Sequence, residues 1–501
     1  MRSDATLLSL SATDLANHLA CRHMTELNRA EAEGRIAPPV WHDPALATLQ
    51  ERGLAHERAY VESLRGRGLS IVELDGMDHE TAVGRTYEVM QAAGDVIVQA
   101  GLQSGRWRGR ADILLRVAMP SNLGNWSYEA ADTKLAQETR GGTVLQLCLY
   151  SDLVGQLQGV KPAQMHVVKP GDGFPTETFR VVEYDAYYRV VRRSLALSVA
   201  VLPSGSTYPL PAEHCEVCRW WMECDTRRHA DDHLSLVAGL RSLHIAELER
   251  QGVHTLRVFA QEPQPLRERP ERGSVEAFAR AQDQARIQLE GRLAGEPRYR
   301  ILAVEPGAGL ARLPEPNAGD LFFDIESDPF ALEGGLEYLL GVVSVESDGE
   351  RQYRAFWGMD RAAERAAFEA FIDFVMARLE LSPGIRIYHY SPYEPAALKR
   401  LMARHGTREI EMDRLLRGGR FVDLLAVTRQ GIRASVESYS LKELEKFFGF
   451  ARAVPLPAAA AALRRVACAL EFNAPEMITA DDRAAVQVYN QDDCVSTLEL
   501  R

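Results

Sequence analysis

Between Arg108 and Tyr150 the chain runs RGRADILLRV, NWSYEAADTKLA and TVLQLCLY, which reads as strand, strand and helix. Side chains alternate across a strand, so Tyr128, Ala130, Asp132 and Lys134 share one face of the second strand, while Asp112 lies on the first. Gln146 and Tyr150 follow at i, i+4 and look out from one helix face. Two carboxylates and an ammonium are thereby brought towards the end of one hairpin. Such a set can hold a divalent cation and leave the lysine to orient water or to neutralise charge on a phosphate. The plainer reading is a hairpin with exposed charges. Against it, Asp132 sits in the apolar AADTKLA, where an unpaired charge is expensive, and Lys134 is one of only six lysines in the chain.

Taken in order, G-R-A-D, D-T-K and Q-x-x-x-Y resemble the RecB-family branch of the PD-(D/E)XK nucleases. That branch carries a histidine after a glycine on an upstream helix, and Gly53-Leu-Ala-His56-Glu57, in a helix expected over 43–65, fits it. The resemblance implies that His56, Asp112 and Asp132 are metal ligands, that Lys134 is catalytic, and that Gln146 and Tyr150 contact DNA and steady the site. Ala111-Asp112 replaces the family's usual Pro-Asp, and Asp132 stands where glutamate is more frequent.

At 501 residues the chain is too long for one core, and two or three domains are expected. A hydrophobic content of 46% and a charged content of 26% are ordinary for a globular protein. The net charge of −12 excludes a uniformly basic nucleic-acid coat, but not local arginine clusters beside metal-binding carboxylates. No run of about 18 apolar residues and no charged-then-apolar leader occurs, so a cytoplasmic protein without membrane contact is expected. Ser11 or Thr13 is placed to cap a first helix that Cys21 closes.

Four of the seven cysteines fall as Cys21 and Cys215-x2-Cys218-x5-Cys224; Cys148, Cys468 and Cys494 read as small buried hydrophobes. The triplet alone leaves zinc, a cluster and chance open. Four thiolates suit tetrahedral zinc or an iron–sulfur cluster. One cysteine before a nuclease core and three after it resembles the staple of cluster-bearing RecB-type nucleases. The resemblance implies a structural [4Fe–4S] cluster, with zinc as the alternative.

Residues 231–300 differ in texture. His233 to Leu240 and Ile245 to Leu256 read as two short helices joined by tight turns, similar to a helix–hairpin–helix unit that lacks its Gly-x-Gly; a plain helical spacer fits as well. Pro263 to Pro270 is a linker candidate, and Val275 to Leu293 a polar helix.

A second system begins at Pro314-Glu-Pro, and Leu321-Phe-Phe-Asp324-Ile-Glu326 is a strand with both acids on one face. A three-strand meander, a helix over 361–380 and a strand over 386–390 follow, the order a ribonuclease H-like fold requires. Tyr489 and Asp493 lie at i, i+4 on a far helix. With Glu394 they resemble the DEDD exonucleases of the tyrosine subtype. The resemblance implies that Asp324, Glu326, Glu394 and Asp493 hold two Mg2+ or Mn2+ ions and that Tyr489 positions the attacking water. Glu394 departs from the family's aspartate. Asp423 in Phe421-Val-Asp-Leu-Leu, followed by Tyr439-Ser-Leu-Lys442-Glu-Leu, resembles the family's intervening segment and reads as a helper or, in the plainer reading, a structural acid.

The expected architecture is therefore α/β. It comprises a PD-(D/E)XK restriction-endonuclease-like domain (1–230), a short helical connector (231–300) and a ribonuclease H-like domain with a mixed sheet (301–501), truncated within its last helix. The expected activity is metal-dependent hydrolysis of DNA phosphodiester bonds in repair or recombination, on single strands or free ends. The resemblance implies a fused or associated superfamily 1 helicase. The alternative is a DNA-binding scaffold with one or both nuclease folds inactive.

Overall fold

The computed structural model describes residues 1–4, 7–39, 46–136, 139–171, 173–201, 207–264, 266, 268–332, 334–346 and 349–501. Residues 43–45 of the expected helix, and Pro265 and Arg267 of the expected linker, lie outside the described residues. Two compact units divide the chain, Met1–Cys224 and Asp225–Arg501, so the expected connector falls in the second. Among the described residues no helix is long and apolar enough to cross a membrane.

The first unit opens with a hairpin, β1 (Arg2–Asp4) and β2 (Leu7–Ser9), and two helices, α1 (Ala12–Ala20) and α2 (Arg22–Ala32). Ser11 caps α1, its hydroxyl and its N–H each donating to Asp14 at 2.8 Å. Cys21 ends α1 and caps α2. Next come α3 (Leu46–Gly66), β3 (Ile71–Glu73) and α4 (His79–Gln91). The antiparallel meander β4 (Val96–Ser104), β5 (Trp107–Val117) and β6 (Ser127–Thr133) follows. Through α5 (Gly141–Gln158) the chain returns so that β7 (Gln164–Val168) runs parallel to β6, with β8 (Thr176–Arg180) antiparallel at the edge. The six-stranded order is β3-β4-β5-β6-β7-β8. Helices α6 (Val181–Val201) and α7 (Trp221–Ala230) follow.

The apolar run Leu145, Leu147, Leu149, Leu153 of α5 is buried with Ile97, Leu114 and Tyr128 of the sheet. The helix can lie this close because the glycine of G-R-A-D has no side chain: a Cβ on Gly109 would stand 2.6 Å from the Tyr150 ring. Sequence pattern and packing thus meet at one residue.

In the second unit α8 (Ser242–Arg250), α9 (Leu256–Gln261) and α10 (Val275–Ala294) pack around Leu248, Leu256, Phe259 and Phe278. The first expected helix, His233 to Leu240, is instead a single 3-10 turn, Leu234–Leu236. The Gln288 side chain supplies what the helix would have: it accepts from Ala238 N–H at 3.0 Å and donates to Leu236 C=O at 2.7 Å. Gly239 then turns the chain away at φ +78°.

After β9 (Tyr299–Ile301) comes the meander β10 (Leu321–Asp328), β11 (Leu336–Val345) and β12 (Arg351–Trp357), then α11 (Arg361–Leu381) and β13 (Ile387–His389). Helices α12 (Tyr393–His405) and α13 (Glu409–Arg417) precede β14 (Phe421–Asp423), α14 (Leu424–Gly431) and β15 (Ile432–Ala434). The unit ends with α15 (Leu441–Phe448), α16 (Leu456–Glu471) and α17 (Ala480–Leu500). The sheet order is β12-β11-β10-β13-β14, antiparallel on one side of β10 and parallel on the other. Leu321, Phe323 and Ile325 pack in a core with Phe368, Phe371 and Ile372 of α11. The alternation leaves Asp324 and Glu326 on the opposite face, where Asn490 of α17 reaches both.

Candidate active sites

In the first unit, Asp112 on β5 and Asp132 on β6 occupy neighbouring antiparallel strands. Asp112 Oδ2 accepts from Thr133 N–H at 3.1 Å. Asp132 is fully buried, its Oδ1 accepting from Gln146 Nε2 at 3.0 Å. Its Oδ2 meets the Lys134 ammonium at 2.5 Å but accepts no aligned hydrogen bond. Burial, and after it the charge of Asp112, pushes the Asp132 carboxyl well above its usual range, with Lys134 working against the rise. Gln146 also donates to the Tyr150 hydroxyl at 3.1 Å, so the expected helix pair does face the carboxylates. A recess of about 500 Å³ beside them is lined by Arg108, Arg110, His79, Gln146 and Tyr150.

His56 lies on α3 with its Nε2 at 3.3 Å from the Val168 carbonyl and its ring 5.8 Å from that of Phe174. A carbonyl only accepts, so Nε2 donates in this contact. The next residue, Glu57, carries no motif that singles it out in the sequence. Its Oε1 accepts from Gln99 Nε2 at 2.7 Å. Burial raises its carboxyl pKa first, and Asp112 adds to the rise, which puts Glu57 within electrostatic reach of the site. Gln99 itself sits at φ +54° and falls between the paired residues Val98 and Ala100. A β-branched or bulky residue would be strained in that left-handed conformation, and the irregularity re-aims its side chain towards α3.

The four cysteines gather around the start of α2. Cys21 and Cys224 pack against the buried set Met24, Cys218 and Trp220. Burial pushes the Cys218 thiol up, and the nearby Cys21 and Cys215 push in the same direction. Cys21 Sγ accepts from Met24 N–H and Cys215 Sγ from Ala212 N–H, each at 3.4 Å. None of the four is in a disulfide.

In the second unit the carboxylates converge more tightly. Asp324, Glu326 and Asp493 each offer an oxygen within 4.8 Å of the other two, the one such set of three potential ligands among the described residues. Asn490, one turn before Cys494 on α17, donates to Asp324 Oδ2 at 2.9 Å and to Glu326 Oε1 at 3.3 Å, and accepts from Tyr353 OH at 2.9 Å. Gly341 pairs with Asp324 across the sheet and makes this possible, since a Cβ there would stand 1.6 Å from Asn490 Oδ1. Burial and the Asp493 charge lift the Glu326 carboxyl to about 7. Burial, Glu326 and Asp493 lift Asp324 well above the usual range too. Asp324 and Glu326, raised together in this way, favour either protons or a cation.

Two cations complete the site, one of them from the Tyr439-Ser-Leu-Lys442-Glu-Leu segment and the other with no motif to mark it. Lys442 Nζ donates to Asp493 Oδ2 at 2.8 Å, and Arg452 Nη2 to Asp493 Oδ1 at 2.5 Å. They also flank the Tyr489 ring, 5.1 and 5.5 Å from its centroid. Burial, followed by the Asp493 charge, pushes the Tyr489 phenol up to about 12, so it stays protonated. The neighbouring acid, Asp492, plays a different part. Its Oδ2 accepts from Ala453 N–H at 2.9 Å and so fixes the segment that carries Arg452.

Glu394 stands apart from the set of three. It is buried at the start of α12, where its Oε2 accepts from Ser391 Oγ at 2.9 Å and lies 3.4 Å from His389 Nδ1. Its charge still reaches Asp324. Asp423 caps α14, accepting from Ala426 N–H at 3.2 Å, which is a structural role.

Comparison with curated proteins gives no match for the chain. Residues 321–501, which carry every member of the second carboxylate site, match the RNase H superfamily, and this part of the chain is an RNase H-like domain.

Proposed function

We propose that the chain is a metal-dependent nuclease that hydrolyses DNA phosphodiester bonds at Asp324, Glu326 and Asp493, with a second, RecB-like site of the PD-(D/E)XK type in the first unit. The observation that carries the reading is the carboxylate triad within 4.8 Å, buried at Asp493 and half-buried at Asp324 and Glu326, in an RNase H-like domain. When bound, Mg2+ or Mn2+ supplies an activated water and charge neutralisation at the attacked phosphate. The residues around the triad do the rest. Tyr489 keeps a hydroxyl proton with which to orient water, and Asn490 holds Asp324 and Glu326 in register. Lys442 and Arg452 place positive charge where a phosphate would enter.

For the first unit, support comes from the order of helix, three-strand meander, helix and parallel strand, with Asp112 in the middle of β5 and Asp132 and Lys134 at and just past the end of the adjoining β6. His56, whose Nε2–H faces a carbonyl, has the second-nitrogen contact common to metal-bound histidines. The gathered Cys21, Cys215, Cys218 and Cys224 suit a structural metal centre that closes a long loop. No three of their Sγ atoms lie within 4.8 Å of one another. Tetrahedral zinc, at about 2.3 Å from each sulfur, draws thiolates to about 3.8 Å apart. A [4Fe–4S] cluster puts each thiolate on a separate iron and needs the wider spread.

The displaced Glu394 favours a second reading, in which the RNase H-like site is catalytically silent and the chain guides a strand for a fused or partner helicase in DNA repair. Anaerobically prepared protein, assayed on labelled single- and double-stranded DNA with Mg2+ or Mn2+, separates the two. Asp324→Ala and Lys134→Ala should each remove part of the cleavage. If neither changes it, both catalytic assignments fall; if only Lys134→Ala does, the RNase H-like site is the silent one.

A further inference from the structure

We propose that a cleft between the helical segment and the α14–β15 corner of the second unit binds the phosphate backbone of a single nucleic-acid strand and leads it to the Asp324–Glu326–Asp493 site. The proposal rests on the nuclease reading for its choice of polyanion, and on its own charge pattern for the site. The cleft holds about 710 Å³, and four arginines line it: Arg241 at the start of α8, Arg280 on α10, Arg429 on α14 and Arg433 on β15.

In a chain of net charge −12, a group of guanidiniums gathered on one recess, three of them exposed, runs against the average. Their charge is largely uncompensated. Among the described residues no carboxylate stands within ion-pair distance of Arg241, Arg280 or Arg429; Glu276, one turn before Arg280 on α10, feels its charge without bridging to it. Glu437, the acid in the lining, is already taken by Arg292 at 3.0 Å and His229 at 2.9 Å. Arg433 stands 3.5 Å from Asp283, which Arg300 also engages. Three planar donors are thus left facing one recess, the arrangement that phosphodiester oxygens satisfy.

The cleft is also preformed. Buried Tyr439 donates to Gln284 Oε1 at 2.8 Å and accepts from Ala434 N–H at 3.1 Å. Gln284 donates onward to Gln288 at 3.2 Å and to the Ala434 carbonyl at 2.9 Å. Gln288 ties in the 236–238 turn. A satisfied buried network of this kind fixes α10, β15 and the turn relative to one another, so binding needs little reorganisation. Its exit is equally defined. Ser438 and Tyr439 line the cleft, Ser440 caps α15, and Lys442 in the first turn touches Asp493. Three residues of chain span at most about 10 Å, so a strand lying over the arginines passes directly to the carboxylates.

The test is read in EDTA, where cleavage does not enter, with full-length protein and a fluorescein-labelled oligothymidylate in an anisotropy titration at several KCl concentrations. Single strands release about 0.7 counterion per phosphate neutralised. The triple variant Arg241→Ser, Arg280→Ser, Arg429→Ser should therefore lower the log Kd against log salt slope by about 2 and weaken binding about 100-fold near 0.1 M salt. The triple Arg→Lys variant, which keeps the charge, should retain the wild-type slope. Wild-type affinity and slope in the serine variant would overturn the proposal, as would a slope lost in the lysine variant. Competition by poly-glutamate as strong as by oligothymidylate would overturn the assignment to a nucleic-acid strand. A failure of the nuclease reading shows elsewhere, as cleavage unchanged by Asp324→Ala.

Discussion

Replacing Asp324 with Asn tests the carboxylate site through stability, before any substrate is added. Asp324 and Glu326 have folded-state pKa values raised above their usual ones, Glu326 to about 7. Between pH 4.5 and 7 the native, metal-free protein holds protons that the unfolded chain has released, so stability falls as pH rises through that window. For Glu326 alone, the interval from 4.5 to about 7 corresponds to about 3 kcal/mol at about 1.4 kcal/mol per pH unit. For a unit spanning Asp225–Arg501 that is a drop of about 5 °C in melting temperature. A carboxamide is nearly isosteric with the protonated acid, and its oxygen can still accept from Asn490 Nδ2, as Asp324 does at 2.9 Å. The variant should therefore match the wild type at pH 5 and melt several degrees higher at pH 8.5, both in EDTA.

Divalent metal should reverse the order. A ligand at about one hundred times its Kd adds about 3 kcal/mol to the native state. At pH 8 millimolar Mn2+ should raise the wild-type melting temperature by several degrees and leave Asp324→Asn nearly unmoved. Differential scanning calorimetry of both proteins over pH 5–8.5, with and without Mn2+, reads all four arms. The difference between variant and wild type cancels the titrating groups that do not interact with Asp324, and leaves those that do, Glu326 among them. A variant that melts below the wild type at pH 8.5 in EDTA, or that gains as much from Mn2+, refutes the reasoning.

Further consequences follow from neighbouring residues. Lys442→Met leaves Asp493 with Arg452 alone and takes one cation off Tyr489; kcat for metal-dependent cleavage should fall about 100-fold with KM little changed, as steady-state kinetics can read. Glu364 is fully buried and accepts from Arg361, Arg404, His405 and the Glu337 N–H, so Glu364→Gln should cost about 3 kcal/mol in urea unfolding. Burial opposes its ionisation, but the Glu337 N–H and Arg404 prevail and hold the carboxyl low; the stability it contributes should accordingly be lost as pH falls below 4.5. Cys218→Ser should abolish anaerobic absorbance near roughly 400 nm together with bound iron, whereas iron-free protein with one equivalent of zinc would favour the alternative metal.

The parts of the site that could be read in the sequence are those where a local period carries the information. LFFDIESD alternates with period two, which places Asp324 and Glu326 on one face, opposite the α11 contact. YNQDD puts Tyr489 and Asp493 one turn apart, and TVLQLCLY does the same for Gln146 and Tyr150. What could not be read depends on contacts between distant segments. Lys442 and Arg452 come from α15 and from the stretch after it, and nothing in S-L-K-E-L-E says that its lysine meets an aspartate fifty-one positions on. In the first unit His56 stands out as a residue type, while Glu57 is the neighbour tied to the irregular β4 through Gln99.

The pair Asp492-Asp493 shows why adjacency misleads. Successive residues on a helix point about 100° apart, so only one of the two can face β10. Asn490 and Cys494 settle which one, since both bear on Gly341 across a gap no other residue would leave open. That contact fixes the roll of α17, and the roll turns Asp493 to the carboxylates and Asp492 to the backbone of Ala453. A glycine on a neighbouring strand therefore decides which aspartate serves the site. Gly341→Ala should unseat both at once, by forcing Asn490 away from Asp324 and swinging the helix that carries Tyr489 and Asp493. If Gly341→Ala keeps Mn2+-dependent stabilisation at the wild-type level, the helix is positioned by something other than this contact.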